Sequence, residues 1–133
     1  MFTLELSRIT PGNYVISNNN DNRLLCIALI LSDSVLRNGT KKALYYAAEI
    51  GMENHKEFET KLYTLRLHQL DPDTILIKLS YRNSEDEFIV YETDMPLEEF
   101  INLIEEYEDA VESDVHTIHI TRIQDSFELT IDQ

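Results

Sequence analysis

The chain has 133 residues, eleven Lys and Arg against twenty-five Asp and Glu, and a formal net charge of −14. Its 43 % hydrophobic content is that of a folded domain, not a disordered chain, and its length fits one domain over residues 1–133. The acidity excludes nucleic acid and an anionic membrane as partners.

Phe2, Leu4 and Leu6 alternate with Thr3, Glu5 and Ser7, which predicts a half-buried strand. The start, Met1 to Arg8, has no basic stretch leading into an apolar run, so no signal peptide is read there. Pro11-Gly12-Asn13 punctuates the chain before a short second strand at Tyr14 to Ser17, and Asn18 to Asn22 is a polar loop. Arg23 to Leu31 is apolar after its first residue and reads as a central strand buried on both faces. Its apolar run is far shorter than the ~20 residues that span a bilayer. Cys26 lies within it, and a lone cysteine in an apolar flank is expected to be buried and inert. These features point to a cytoplasmic protein without disulfides.

Asn38-Gly39 fits either a hairpin turn or the end of a short helical turn begun near Ser32. Thr40 fits as the cap of a second helix near 41–50, closed by Gly51. Tyr63 to His68 and Ile75 to Tyr81 alternate about the turn Asp71-Pro72-Asp73, and with Phe88 to Thr93 they predict a three-stranded meander. A long amphipathic helix follows at about 96–112. Pro96 is suited to its first turn, and Leu97, Phe100, Ile101, Ile104, Tyr107 and Val111 share one face. Val115 to Ile123 and Phe127 to Ile131 form a last hairpin. The expected class is α+β, a largely antiparallel sheet of about six to seven strands with the long helix packed on one face.

Catalytic chemistry is sought in vain. His116 and His119 are three apart on a predicted strand and so point to opposite faces, which speaks against a shared metal. His119-Ile120-Thr121 has the His-x-Thr form of two-histidine phosphoesterases but lacks a second copy. Arg66 with His68, and His119, are the only seeds for a small enzyme. Three glycines build no phosphate loop, and Asp71 and Asp73 are explained by turn chemistry. The reading is therefore non-enzymatic, with no cofactor, metal or small-molecule substrate.

The charge is unevenly placed. Residues 1–82 carry ten Lys and Arg against nine acids, a net of +1. Residues 83–133 carry Arg122 against sixteen acids, a net of −15. On the long helix Glu98, Asn102, Glu105, Asp109 and Glu112 form a stripe opposite the apolar face. Like charges at i,i+4 cost about 0.2–0.5 kcal/mol per pair. Acids in the last turn oppose the helix dipole by about 0.3–1 kcal/mol each. Two readings compete: a solvated acidic face that keeps the protein soluble and needs no partner, and a face that meets a cationic surface, which the tolerated repulsion favours. Glu98, Glu105, Asp109 and Glu112 are the expected contacts, with Tyr91 and Tyr107 as anchors.

Phe88-Ile89-Val90-Tyr91-Glu92-Thr93-Asp94-Met95-Pro96-Leu97-Glu98-Glu99-Phe100 runs from strand into acidic helix within a small domain of short strands. In this the chain resembles the small acidic immunity proteins of bacterial contact-dependent growth inhibition and polymorphic toxin systems. The resemblance implies a protein inhibitor that neutralises a cognate toxin, often a basic nuclease. The alternative is a type III secretion chaperone, also small, acidic and α+β, although such chaperones usually begin with a helix and this chain begins with strand alternation.

Overall fold

Strands form where apolar and polar residues alternate, and the computed structural model, which describes residues 1–17 and 19–132, shows them in two antiparallel sheets. The first sheet contains β1 (Phe2–Thr10), β2 (Asn13–Ile16), β7 (Thr117–Ile123) and β8 (Ser126–Asp132), in the order β2-β1-β7-β8. The second contains β3 (Lys56–Glu59), β4 (Tyr63–Asp71), β5 (Thr74–Arg82) and β6 (Phe88–Pro96), in sequence order. The helices are α1 (Asn22–Ser32), α2 (Ser34–Ile50) and α3 (Leu97–Glu112). The class is α+β as expected, but the strands divide between two four-stranded sheets instead of joining one. Asn18, read as part of the polar loop, lies outside the described residues.

The principal correction is α1. The segment read as a central strand, Arg23 to Leu31, is a helix. Leu24, Cys26, Ile27, Ala28, Ile30 and Leu31 are buried over more than half of its circumference, and Leu25 and Leu29 are half-buried on the rest. The reason is its position. It touches β1, β2 and β7 of one sheet, β5 and β6 of the other, and α2. A helix enclosed on every side has no polar stripe, so its apolar run looks like that of a doubly buried strand. Its leucines and alanine favour the helix. Full burial of each Leu or Ile contributes about 1.5–3 kcal/mol.

Asp33 separates α1 from α2 and caps the second helix, its Oδ1 accepting from the N–H groups of Val35 and Leu36 at 3.0 Å. The predicted second helix is present but begins earlier, and Asn38-Gly39 is neither a hairpin turn nor a helix end. Thr40 is not its cap but a fully buried residue inside it. Gly39 stands mid-helix because β3 crosses close by: a Cβ there would meet the Phe58 ring at 3.1 Å. Gly51, at φ 82°, closes α2 as read.

The meander β4-β5-β6 is present as expected, Leu65 pairing with Leu79 and Leu79 with Tyr91. Leu65, Leu67, Ile75, Ile77, Leu79 and Met95 point inward. α3 follows β6 directly and packs on β6, α2 and β8. Its buried face is Leu97, Phe100, Leu103, Ile104, Tyr107 and Ala110, so Leu103 and Ala110 replace the half-buried Ile101 and Val111 of the predicted face. Among the described residues no helix is long and apolar enough to cross a membrane.

Candidate partner-binding surface

Pro96 and the buried leucine and phenylalanine of its first turn fix the roll of α3, and that roll carries the acids outward. Glu98, Glu105, Asp109 and Glu112 are all exposed, as the stripe requires. Their environments differ. On the side of α3 that meets α2, the acids are answered. Lys41 Nζ donates to Glu108 Oε1 at 2.6 Å, Arg37 Nε lies 3.6 Å from Glu108 Oε2, and Tyr45 Oη donates to Glu105 Oε1 at 2.9 Å. Lys41, Tyr45, Glu105 and Glu108, with Asp109 and Glu112, line an open cavity of about 470 Å³. Elsewhere Glu98, Asp109 and Glu112 take no hydrogen bond or ion pair among the described residues.

The basic residues that reach the acidic half are committed. Arg8 Nη1 is 2.5 Å from Asp114, just past α3, which offsets the cost of an acid at that helix end. Arg23 reaches Asp125 at 2.7 Å and Asp94 at 3.8 Å. Its hydrogen bond holds the Asp125 carboxyl below the usual carboxylate range. Arg122 is held by Asp21 at 2.7 Å. The uncompensated acids therefore gather on the outward and β8-facing sides of α3.

Glu106 belongs to that group, though it is not among the acids of the predicted stripe. Partial burial, then Glu128 and Asp109, push its carboxyl above the ordinary glutamate value. Glu106, Asp109, Ala110, Ser113, Leu129, Thr130 and Ile131 line a groove of about 260 Å³. The signal for this second acidic side was present in Glu128 and Thr130, the outward residues of the last predicted strand, but their approach to α3 is a tertiary fact.

The two anchors are not brought to the stripe. Tyr107 is 1 % exposed, packed edge-on against Tyr14 at 6.2 Å and under the Arg37 guanidinium at 5.2 Å. Burial pushes its hydroxyl up to about 12, and it is a core residue, not an exposed anchor. Tyr91 is half-buried on the inner side of β6, its hydroxyl 3.3 Å from that of Tyr81 and its ring beside Tyr81, which in turn meets Tyr63. The Tyr81 hydrogen bond, then burial, push Tyr91 up to about 12. It lies six residues before α3, about 20 Å along an extended strand.

The seeds of catalysis lie apart from the stripe. Arg66 is paired with Glu57 at 3.2 Å, and with exposed His68 it stands on the outer side of β4. His119 sits between Glu5 and Asp132, 3.8 Å from each, on the outer side of the first sheet. Among the described residues no three His, Cys, Asp or Glu side chains gather as a metal site. Cys26 is fully buried, and burial raises its thiol to about 12, so it is an unreactive thiol as read. No family model, curated protein or solved structure matches this chain.

Proposed function

We propose that the protein is a non-enzymatic inhibitor, an immunity protein that binds and neutralises a cognate bacterial toxin, with a basic nuclease as the expected target. The observation that supports this reading is the row Glu98, Asp109 and Glu112 on a rigid helix, exposed and without a cation of their own. Like charges held at fixed spacing form a template for the positive groove with which a nuclease holds its substrate. Such a surface accelerates encounter by about 10- to 10³-fold at low salt, a gain that salt removes. Binding of this kind places the protein in the cytoplasm, where the toxin acts.

The test is a charge reversal, Glu98→Lys with Asp109→Lys and Glu112→Lys, none of which touches the core. Association with a basic nuclease domain encoded beside this chain is followed by stopped flow from low to physiological salt, together with inhibition of nuclease activity. The reading expects the variant to lose the fast, salt-dependent encounter and to inhibit poorly. Unchanged on-rate and unchanged salt slope would overturn it.

A further inference from the structure

β8 is an edge strand of its sheet, and its outer edge faces α3 across a groove. The hairpin fixes which backbone groups look into that groove. Ile123 pairs with Ser126 about a two-residue turn, so these two exchange their hydrogen bonds. The pattern then alternates, and Phe127, Leu129 and Ile131 turn their N–H and C=O groups away from β7. Phe127 confirms the direction, because its N–H donates outward to Glu99 Oε1, in the first turn of α3, at 2.7 Å. Leu129 and Ile131 have the same orientation, and among the described residues their outward groups take no partner. One end of the edge is thus closed by Glu99 and the rest is open.

The groove wall is apolar at Ala110, Leu129 and Ile131, and Ile131 is 45 % exposed. Glu106 and Asp109 line the groove and Glu128 acts on Glu106, with no Lys or Arg among the groove-lining residues. Acidic edges discourage two copies of this chain from pairing edge to edge, because like charges would face each other. They admit a strand of opposite charge.

We propose that the groove between α3 and the free edge of β8 binds an extended basic peptide segment of another protein, which adds to the first sheet as a fifth strand. Backbone hydrogen bonds to Leu129 and Ile131 supply register. Alternate apolar side chains of the peptide rest on Ala110, Leu129 and Ile131, and its lysines or arginines meet Glu106, Asp109 and Glu128. The groove shares only Asp109 with the helix stripe of the proposed inhibitor surface, so the two readings fail separately.

The probe is a fluorescent peptide of alternating valine and lysine, compared with an alternating glycine and lysine peptide of equal length and charge. Binding is read by anisotropy, and the edge by amide hydrogen exchange. The valine–lysine peptide is expected to bind more tightly and to slow exchange at Leu129 and Ile131. Ile131→Pro removes an outward N–H but no bond to β7, a place where edge strands accept proline. It should weaken binding about tenfold, the loss of one well-made hydrogen bond and its neighbours. Ser113→Lys, at an exposed groove position, should do the same by charge alone and keeps the test valid if the proline variant is poorly folded. Glu98→Lys with Glu112→Lys, outside the groove, should leave peptide binding intact while toxin association falls. Equal binding of the two peptides, unchanged exchange at Leu129 and Ile131, or wild-type affinity in Ser113→Lys would each overturn the proposal.

Discussion

Arg122 is the only basic residue after Arg82, and the fold spends it inside. Its Nε donates to Asp21 Oδ2 at 2.7 Å and its Nη2 to Asp21 Oδ1 at 3.1 Å. Its Nη1 donates to the Gln124 carbonyl, and the guanidinium lies over the Phe2 ring at 4.8 Å. The two side chains are 13 % and 8 % exposed. Asp21 stands at the start of α1, where its carboxylate makes no capping bond. Arg122→Met keeps the apolar stem and removes both donors from that carboxylate. Breaking a buried pair from one side costs about 3–5 kcal/mol, and the lost ring contact adds about 0.5–1 kcal/mol. A chain of this length has roughly 7–20 kcal/mol in all, so the variant should be visibly weakened but folded. Asp21→Asn in the same background removes the stranded charge and should recover about 2 kcal/mol. The assay is urea unfolding followed by far-UV circular dichroism, since the chain has no tryptophan. A loss below ~1 kcal/mol in Arg122→Met, or a double variant no more stable than the single one, would refute the idea that this pair ties the last hairpin to α1.

Four other outcomes follow from the same geometry. Glu108→Gln removes the carboxylate charge 3.6 Å from Arg37 Nε, a buried group without a hydrogen bond of its own, and from the Lys41 bond, and should cost about 1–3 kcal/mol in thermal or urea unfolding. Asp109→Asn, on the exposed side of the same helix, should change stability by less than ~0.5 kcal/mol. The Glu106 carboxyl is raised in the folded protein, so the folded state takes up a proton at a pH where the unfolded chain has not, and stability from this group is lost as pH rises through the raised value. Glu106→Gln should therefore raise the melting temperature at neutral pH, with the advantage over wild type shrinking as pH falls through the raised value and levelling off below the ordinary glutamate value. Cys26 should not react with Ellman's reagent in the native protein, and its labelling in urea should track the loss of helical signal.

What could be read in the sequence follows from how much of each element faces water. The meander and α3 each have one wet side, so period-two alternation and the helical stripe were both visible, although β4 and β6 each run three residues beyond the alternation that was read, to Asp71 and Pro96. α1 has almost no wet side, and with that the period that separates strand from helix disappears. Asn38-Gly39 misled for the opposite reason. A dipeptide with strong local turn preference lies inside a helix packed on β3, where the Phe58 ring, nineteen positions after Gly39, comes within 3.1 Å of where a Cβ would stand. The division into two sheets was equally hidden, because β1 pairs with β7 over more than a hundred residues.

The acidic stripe was legible as a pattern but not as a pattern of unanswered charge, and that distinction decides which residues matter. Glu105 and Glu108 look alike in sequence, yet both are occupied by α2 through Tyr45, Lys41 and Arg37. The nearly neutral first part of the chain thus supplies cations to one side of α3, and Arg8 and Arg23 supply them to its flanking turns. What is left, Glu98, Asp109 and Glu112 outward with Glu106 and Glu128 toward the β8 edge, is a smaller and more sharply placed field than a net of −15 over residues 83–133 suggests. Repulsion among these acids stays unrelieved in the free protein, because every nearby cation already has a carboxylate. A bound cationic surface relieves it, so the same residues that weaken the isolated helix strengthen the complex. The two tyrosines sharpen the point: with Tyr107 in the core and Tyr91 half-buried in its tyrosine cluster, neither stands on the acidic face, and the recognition proposed there draws on charge and on backbone edge.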